Sequence, residues 1–85
     1  MALIEIYSTK ACPYCKMAKA LFDKKGVKYT EIMVDSNPSL IDEAIERSGG
    51  RRTVPQIFID DKHVGGYDDL NELDRKGRLD SLLVR

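Results

Sequence analysis

Leu3-Ile4-Glu5-Ile6-Tyr7, then Ser8-Thr9-Lys10-Ala11, then Cys12-Pro13-Tyr14-Cys15: the fold is decided in this stretch. Leu3 to Tyr7 is apolar and carries β-branched residues, which reads as a buried strand. Ser8 to Cys12 reads as a loop. Pro13 stands where a helix can begin, because proline lacks only a donor that the first turn leaves unpaired anyway. Ala18, Leu21 and Phe22 then share one helical face, Lys16, Lys19 and Lys24 are available for the other, and Gly26 is a natural stop. The two cysteines sit at the strand-to-helix turn. A cross-link closing so small a loop constrains the unfolded chain little, so stabilisation is a weak reason for the pair. Redox chemistry or a metal remains.

Working outward, Val27 to Val34 carries Tyr29, Ile32, Met33 and Val34 and reads as a second strand. Asn37-Pro38 is a cap followed by a first-turn proline, and Leu40, Ile41, Ala44 and Ile45 form an apolar stripe that ends at Gly49-Gly50. Gln56 to Asp60 is a short strand, Asp61-Lys62 a turn, and His63-Val64 the start of a hairpin partner before Gly65-Gly66. From Tyr67 onward the chain reads as helical, with Leu70, Leu73, Leu79, Leu82 and Leu83 apolar and Gly77 breaking it in two. Phe22, Phe58, Met17 and Met33 read as core. The order β-α-β-α-β-β-α predicts an α/β fold in which a parallel pair is followed by a hairpin and helices cover the sheet. No repeat, linker or low-complexity segment interrupts it, so residues 1–85 read as a single domain.

Composition bounds the function. A chain of 85 residues has room for one thin core, burying about two-thirds of its unfolded surface within a radius of gyration of about 12 Å. Hydrophobic residues are 42% and charged residues 33%, which is globular. Fourteen basic residues balance fourteen acidic ones, giving zero net charge, so bulk binding to nucleic acid or an anionic membrane is not expected. Met-Ala-Leu-Ile-Glu-Ile-Tyr lacks a basic n-region and Glu5 interrupts it, so it does not read as a signal peptide. No run approaches the roughly 18 apolar residues of a membrane span. The expected address is the cytoplasm.

A C-x-x-C that follows a strand and opens a helix is a redox motif rather than half of a zinc site. Zinc needs four ligands, and His63 is the one further residue of cysteine-or-histidine type. His63 reads as an exposed hairpin residue, and no metal is expected. The nucleophile in thiol chemistry is the thiolate, and an ordinary thiol with pKa about 8.5 is only about 3% ionised at pH 7. At a helix N-terminus, free N–H groups and the positive end of the helix dipole favour the anion. Lys10 adds a nearby positive charge. Such motifs reach pKa values of roughly 3.5–7.5. Cys12, at the cap, is the expected attacker, and Cys15, one turn in on the same side, the resolving thiol.

Thr9-Lys10-Ala11-Cys12-Pro13-Tyr14-Cys15, Thr53-Val54-Pro55 and Gly65-Gly66-Tyr67-Asp68-Asp69-Leu70 together resemble the three signature segments of dithiol glutaredoxins. The resemblance spans nearly the whole chain. It implies a thioredoxin fold with a four-stranded mixed sheet flanked by helices. It also implies reduction of glutathione mixed disulfides and protein disulfides, with glutathione as electron donor. The implied partners are glutathione and glutathionylated or disulfide-containing proteins, met by a monomer.

The resemblance also distributes roles. X-Pro bonds are cis only about 5–6% of the time, so by composition Pro55 merely opens a strand, whereas the family implies a cis bond facing the cysteines. Thr53 and Val54 then offer backbone groups to an extended peptide such as glutathione. Asp68 and Asp69 read by themselves as an acidic helix cap. By resemblance, Gly66, Tyr67, Asp68 and Asp69 receive the γ-glutamyl group, the helix N–H groups taking its carboxylate and an aspartate its ammonium. The two readings are compatible. The glycine carboxylate wants a cation, for which Lys10 is best placed, and Arg47, Arg51 and Arg52 stay open beside it. Asp42 departs from the amide or cation that family members often carry there, and Tyr67 from a further cysteine. Tyr14 divides evenly between a surface aromatic and a ring that flanks the substrate. The other function class is an iron–sulfur carrier in which Cys12 of two chains and two glutathiones hold a cluster. Pro13 stiffens the loop against it. Among enzymes, a redoxin served by thioredoxin reductase is the nearest rival, and Asp68-Asp69 with Lys10 favour glutathione.

Overall fold

The computed structural model of the chain describes residues 2–35 and 37–83. Strand β1 (Ile4–Ser8) runs parallel to β2 (Thr30–Met33) on one side and antiparallel to β3 (Gln56–Ile59) on the other. Strand β4 (Lys62–Gly65) closes a hairpin with β3, giving the order β2-β1-β3-β4. Helix α1 (Pro13–Lys24) is the crossover between β1 and β2, α2 (Pro38–Arg47) connects β2 to β3, and α3 (Tyr67–Arg75) and α4 (Leu79–Leu83) follow the hairpin. This is the expected thioredoxin fold, a four-stranded mixed sheet with helices on both faces. The Cα radius of gyration, 12.0 Å, matches the value expected from length.

Strand alternation sorts the two faces. Ile4 and Ile6 of β1 and Ile57 and Ile59 of β3 pack with Ala18 and Phe22 of α1, Leu70 of α3, and Leu79 and Leu83 of α4. Tyr7 and Phe58 turn the other way, onto Val34 and Ala44, under α2. Each fully buried Ile, Leu or Phe contributes about 1.5–3 kcal/mol, so the first face carries most of the stability. Gly77 ends α3 as expected. Its φ of 71° lets its N–H reach Asp74 O (3.0 Å) while the Arg78 N–H reaches Leu73 O (2.9 Å), the Schellman closure.

Three expectations change. β2 spans Thr30–Met33 rather than 27–34, because only those residues lie in register with Glu5–Ser8. Val27 and Tyr29 pack against the core from the connection instead. Met33 is 36% exposed and Met17 46% exposed, so neither is core. Met33 ends a short edge strand, where its Sδ accepts from the Ser8 hydroxyl (3.3 Å). Met17 falls off the Cys15, Ala18, Phe22 stripe that α1 buries. Among the described residues, no helix is long and apolar enough to cross a membrane.

Candidate active site

Cys12 is the N-cap of α1, in extended conformation (φ −110°, ψ 103°), with Pro13 as the first helical residue. Serine or aspartate usually fills that position and accepts a first-turn N–H. Here the acceptor is sulfur: Cys12 Sγ receives the Cys15 N–H at 3.1 Å, and Cys12 O receives the Lys16 N–H at 3.2 Å. The two cysteines form a disulfide with their Cα atoms 5.2 Å apart. Cys12 is buried but keeps 7% of its surface, whereas Cys15 keeps none, so of the two only Cys12 has any contact with solvent.

The Val54-Pro55 bond is cis and faces this pair, as the resemblance implied, with the Val54 carbonyl oxygen 3.7 Å from Cys12 Sγ. Tyr14 is 57% exposed and stacks on Tyr67, the centroids 6.3 Å apart. Tyr14, Thr53, Val54, Pro55, Tyr67 and Asp68 line one cavity of about 270 Å³. A larger hollow of about 360 Å³ lies between β4 and the α3–α4 pair, and neither cysteine nor Pro55 borders it. The smaller cavity is bordered by Tyr14 of the cysteine motif and by Val54, whose carbonyl oxygen faces Cys12 Sγ.

Gly66 is the N-cap of α3 and, lacking a side chain, leaves the first turn without a side-chain cap. The first-turn amides are thus free to meet an anion. Asp69 reaches back to the Gly66 N–H (3.0 Å) and also takes Arg51 Nη1 (3.2 Å). The Gly66 amide above all holds the Asp69 carboxyl below its ordinary range; burial opposes it, and Arg51 adds to the lowering. A depressed carboxylate stabilises the fold in full above the unfolded pKa of about 4 and loses that contribution as pH falls through the lowered folded value. Asp69→Asn is therefore expected to be less stable than wild type at pH 6, with the gap closing toward pH 2. The pair is half-exposed, so the gap is modest. Urea midpoints across that range read it, and a gap of constant size would deny Asp69 the role.

The structure settles which arginines stand near the site. Arg47 belongs to the other face, bonded to Glu5 (3.0 Å), the Tyr7 hydroxyl (2.8 Å) and Asp61 (3.3 Å), with its guanidinium 4.0 Å over the Phe58 ring. Arg51 is paired with Asp69. Arg52 is exposed and borders a small crevice with Thr9, Ile41 and Val54. Lys10 gives its backbone N–H to Asp35 (2.9 Å), and its exposed ammonium has no partner among the described residues. His63 is exposed, as expected, yet its ring is bonded to Gln56. Sequence reasoning missed Gln56, a polar residue that opens a strand buried along its whole length; that inconsistency was the available signal.

A glutaredoxin family model matches residues 4–64. Glutaredoxin 3 of Escherichia coli (strain K12) is 55% identical over 83 residues, covering 98% of this chain and 99% of that protein. The solution structure of a glutaredoxin from Brucella melitensis is 52% identical with a TM-score of 0.85, covering 98% of this chain and 89% of that one. A crystal structure of a buckwheat glutaredoxin–glutathione complex superposes with a TM-score of 0.88 at 34% identity, over 96% of this chain and 76% of that one. With a capping cysteine pair, a facing cis-proline and relatives matched end to end, the chain belongs to the glutaredoxin family and is a thiol–disulfide oxidoreductase.

Proposed function

We propose that the chain reduces glutathione mixed disulfides and protein disulfides, with Cys12 as nucleophile and Cys15 as resolving thiol. The observation that carries this reading is the Cys15 N–H on Cys12 Sγ at the start of α1, beside a cavity of peptide size. In the reduced protein that amide and the helix dipole favour a Cys12 thiolate. The thiolate attacks the glutathione sulfur of a mixed disulfide. The old S–S bond breaks, and the client leaves as a thiolate that takes a proton from water. A second glutathione thiolate then attacks the Cys12-bound glutathione, releasing glutathione disulfide and the Cys12 thiolate. With a protein disulfide, the Cys12 thiolate attacks one client sulfur and the client S–S bond breaks, its other sulfur leaving as a thiolate that takes a proton. Cys15, its proton given up to water, then attacks Cys12 Sγ, so that the mixed disulfide breaks, the client leaves as a dithiol and Cys12–Cys15 becomes the disulfide. Two molecules of glutathione restore the dithiol.

Glutathione lies along Thr53-Val54-Pro55 as a short added strand, pairing with the Val54 peptide. Its γ-glutamyl carboxylate meets the first-turn amides of α3 at Tyr67 and Asp68, which the Gly66 N-cap leaves uncovered, and its ammonium meets the Asp68 carboxylate. Asp69 shares in the site mainly by holding Gly66. Lys10 takes the glycine carboxylate, and the Tyr14 ring covers the sulfurs.

The deciding experiment compares electron donors. Glutathione with glutathione reductase is expected to sustain turnover and thioredoxin reductase is not; the reverse result overturns the reading. Asp68→Ala is expected to raise KM for a glutathionylated peptide about fivefold, with kcat within about twofold. An unchanged KM would remove Asp68 from the site.

A further inference from the structure

Gln56 opens β3 with an amide side chain that has no exposed surface (0%). A buried amide is costly unless its donors and acceptor are met. Here they are. Gln56 Nε2 donates to the Thr53 carbonyl (2.9 Å) and to Thr53 Oγ1 (3.2 Å), and Gln56 Oε1 lies 2.7 Å from His63 Nε2.

The chemistry of these atoms fixes every proton in the chain of contacts. A backbone carbonyl can only accept, so the group facing it is the amide NH₂ and the side chain cannot be flipped. The oxygen then faces His63 and can only accept in turn. Nε2 of His63 must therefore carry the hydrogen, leaving Nδ1 bare in the neutral ring. Burial first, and then the Arg51 guanidinium, lower the His63 pKa against a smaller opposing pull from Asp69, and so favour that neutral form. The ring is held in place by Phe58, its cross-strand partner, at 5.1 Å between centroids. At the other end Thr53 Oγ1 is engaged as an acceptor, so its own hydroxyl proton is free to point into the cavity that Thr53 lines.

We propose that Gln56, locked from the surface by His63, is the positioning residue of the Thr53-Val54-Pro55 turn. It sets where the Thr53 hydroxyl and the Val54 peptide meet glutathione. Neither Gln56 nor His63 touches the disulfide, so the effect falls on binding geometry and not on the thiolate. The proposal rests on the glutathione reading above.

The test is a double-mutant cycle read in kinetics, with one spectroscopic measurement. Gln56→Met keeps length without hydrogen bonds, and His63→Phe keeps the packing on Phe58 without a donor. Each is expected to raise KM for a glutathionylated peptide, by about fivefold for Gln56→Met and about threefold for His63→Phe. In both, kcat stays within about twofold. The double variant should bind no worse than Gln56→Met alone, because His63 acts only through Gln56. A merely structural pair would lower Tm without that KM–kcat split. Nitrogen-15 correlation spectra of wild type should show His63 protonated at Nε2, with an Hε2 signal protected from exchange that Gln56→Met loses. His63→Phe is a surface change, so it reads the relay even if Gln56→Met fails to fold. Unchanged KM in the folded variants, additive effects in the cycle, or an Nδ1-protonated His63 overturns the proposal while wild-type turnover stays normal. A wild type with no glutathione-dependent turnover overturns the proposed function, and this proposal with it.

Discussion

Cys15→Ser is expected to retain most of its activity on a glutathionylated peptide and to lose most of its activity on a protein disulfide. Cys12→Ser is expected to lose both by about a thousandfold or more, since a serine hydroxyl is hardly ionised near neutral pH. Removing glutathione from a client needs one attacking thiolate, because external glutathione completes the cycle. Releasing a client that is itself tethered through Cys12 needs a second sulfur within reach. Cys15 supplies it from inside the first turn of α1, where it has no exposed surface and cannot replace Cys12 as first attacker. Serine is close to cysteine in size, and at position 15 it keeps the backbone N–H that bonds position 12, so the cap survives. The measurement is turnover of both substrates by both variants under one glutathione supply. If folded Cys15→Ser lost deglutathionylation too, Cys15 would be more than a resolver.

The other large effect lies away from the sulfurs. Gly65→Ala is expected to lower stability by about 3 kcal/mol, the sum of a strained backbone residue and a charge-assisted hydrogen bond given up. Gly65 has φ of +120°, which L side chains rarely adopt. A Cβ there would stand 2.2 Å from Asp69 Oδ2 and 2.9 Å from Arg51 Nη1. Those side-chain ends can retreat, but only by abandoning the Gly66 amide and each other. For a chain of this length the loss corresponds to a Tm lower by roughly 15 °C. Asp69→Ala in the same background removes the clash and leaves the backbone strain, so the double variant should lose less than the sum of the singles. Urea denaturation reads all three. A loss under about 0.5 kcal/mol for Gly65→Ala would mean that the β4–α3 corner relaxes freely.

The legible parts of the chain are those whose signal is local. Cys12-Pro13 announces a helix start because a proline and a capping side chain act within one turn. The α1 and α3 stripes show in spacing alone, and Gly77 marks its break through its own backbone. Met17 and Met33 were misread because apolar character says nothing of which way a residue faces. One lies off the buried stripe of α1, and the other ends an edge strand. The arginines were undecidable at sequence level because their partners are distant. Arg47 finds Glu5 and Phe58 only because β1 and β3 place those two side by side in register. Arg51 finds Asp69 across the β4–α3 corner. The cis bond at Pro55 came from family resemblance and from nothing in the residue itself, whose ordinary state is trans. Gln56 was passed over for a related reason: polarity suggests exposure, and its two partners stand on either side of a hairpin.

Arg47 has a further consequence for how the molecule breathes. Ala44 is the one residue of α2 buried to the standard of the core, while α1 buries Cys15, Ala18 and Phe22. What keeps α2 on the sheet is therefore in large part a guanidinium stacked on Phe58 and bonded to Glu5, Tyr7 and Asp61. Cooperative units of a protein open in order of what each must give up. The amides of β1, β3 and α1 are therefore expected to be the last to exchange, and those of α2 to exchange through a smaller opening. Added salt weakens ion pairs and spares apolar contacts, so it is expected to lower the protection of α2 more than that of α1, whose ion pairs from Lys19 and Lys25 supplement a buried apolar stripe. Helix α2, held by the charges around Arg47, borders the same crevice as Thr53 and Val54, so the ionic strength of the solution acts next to the loop that precedes β3.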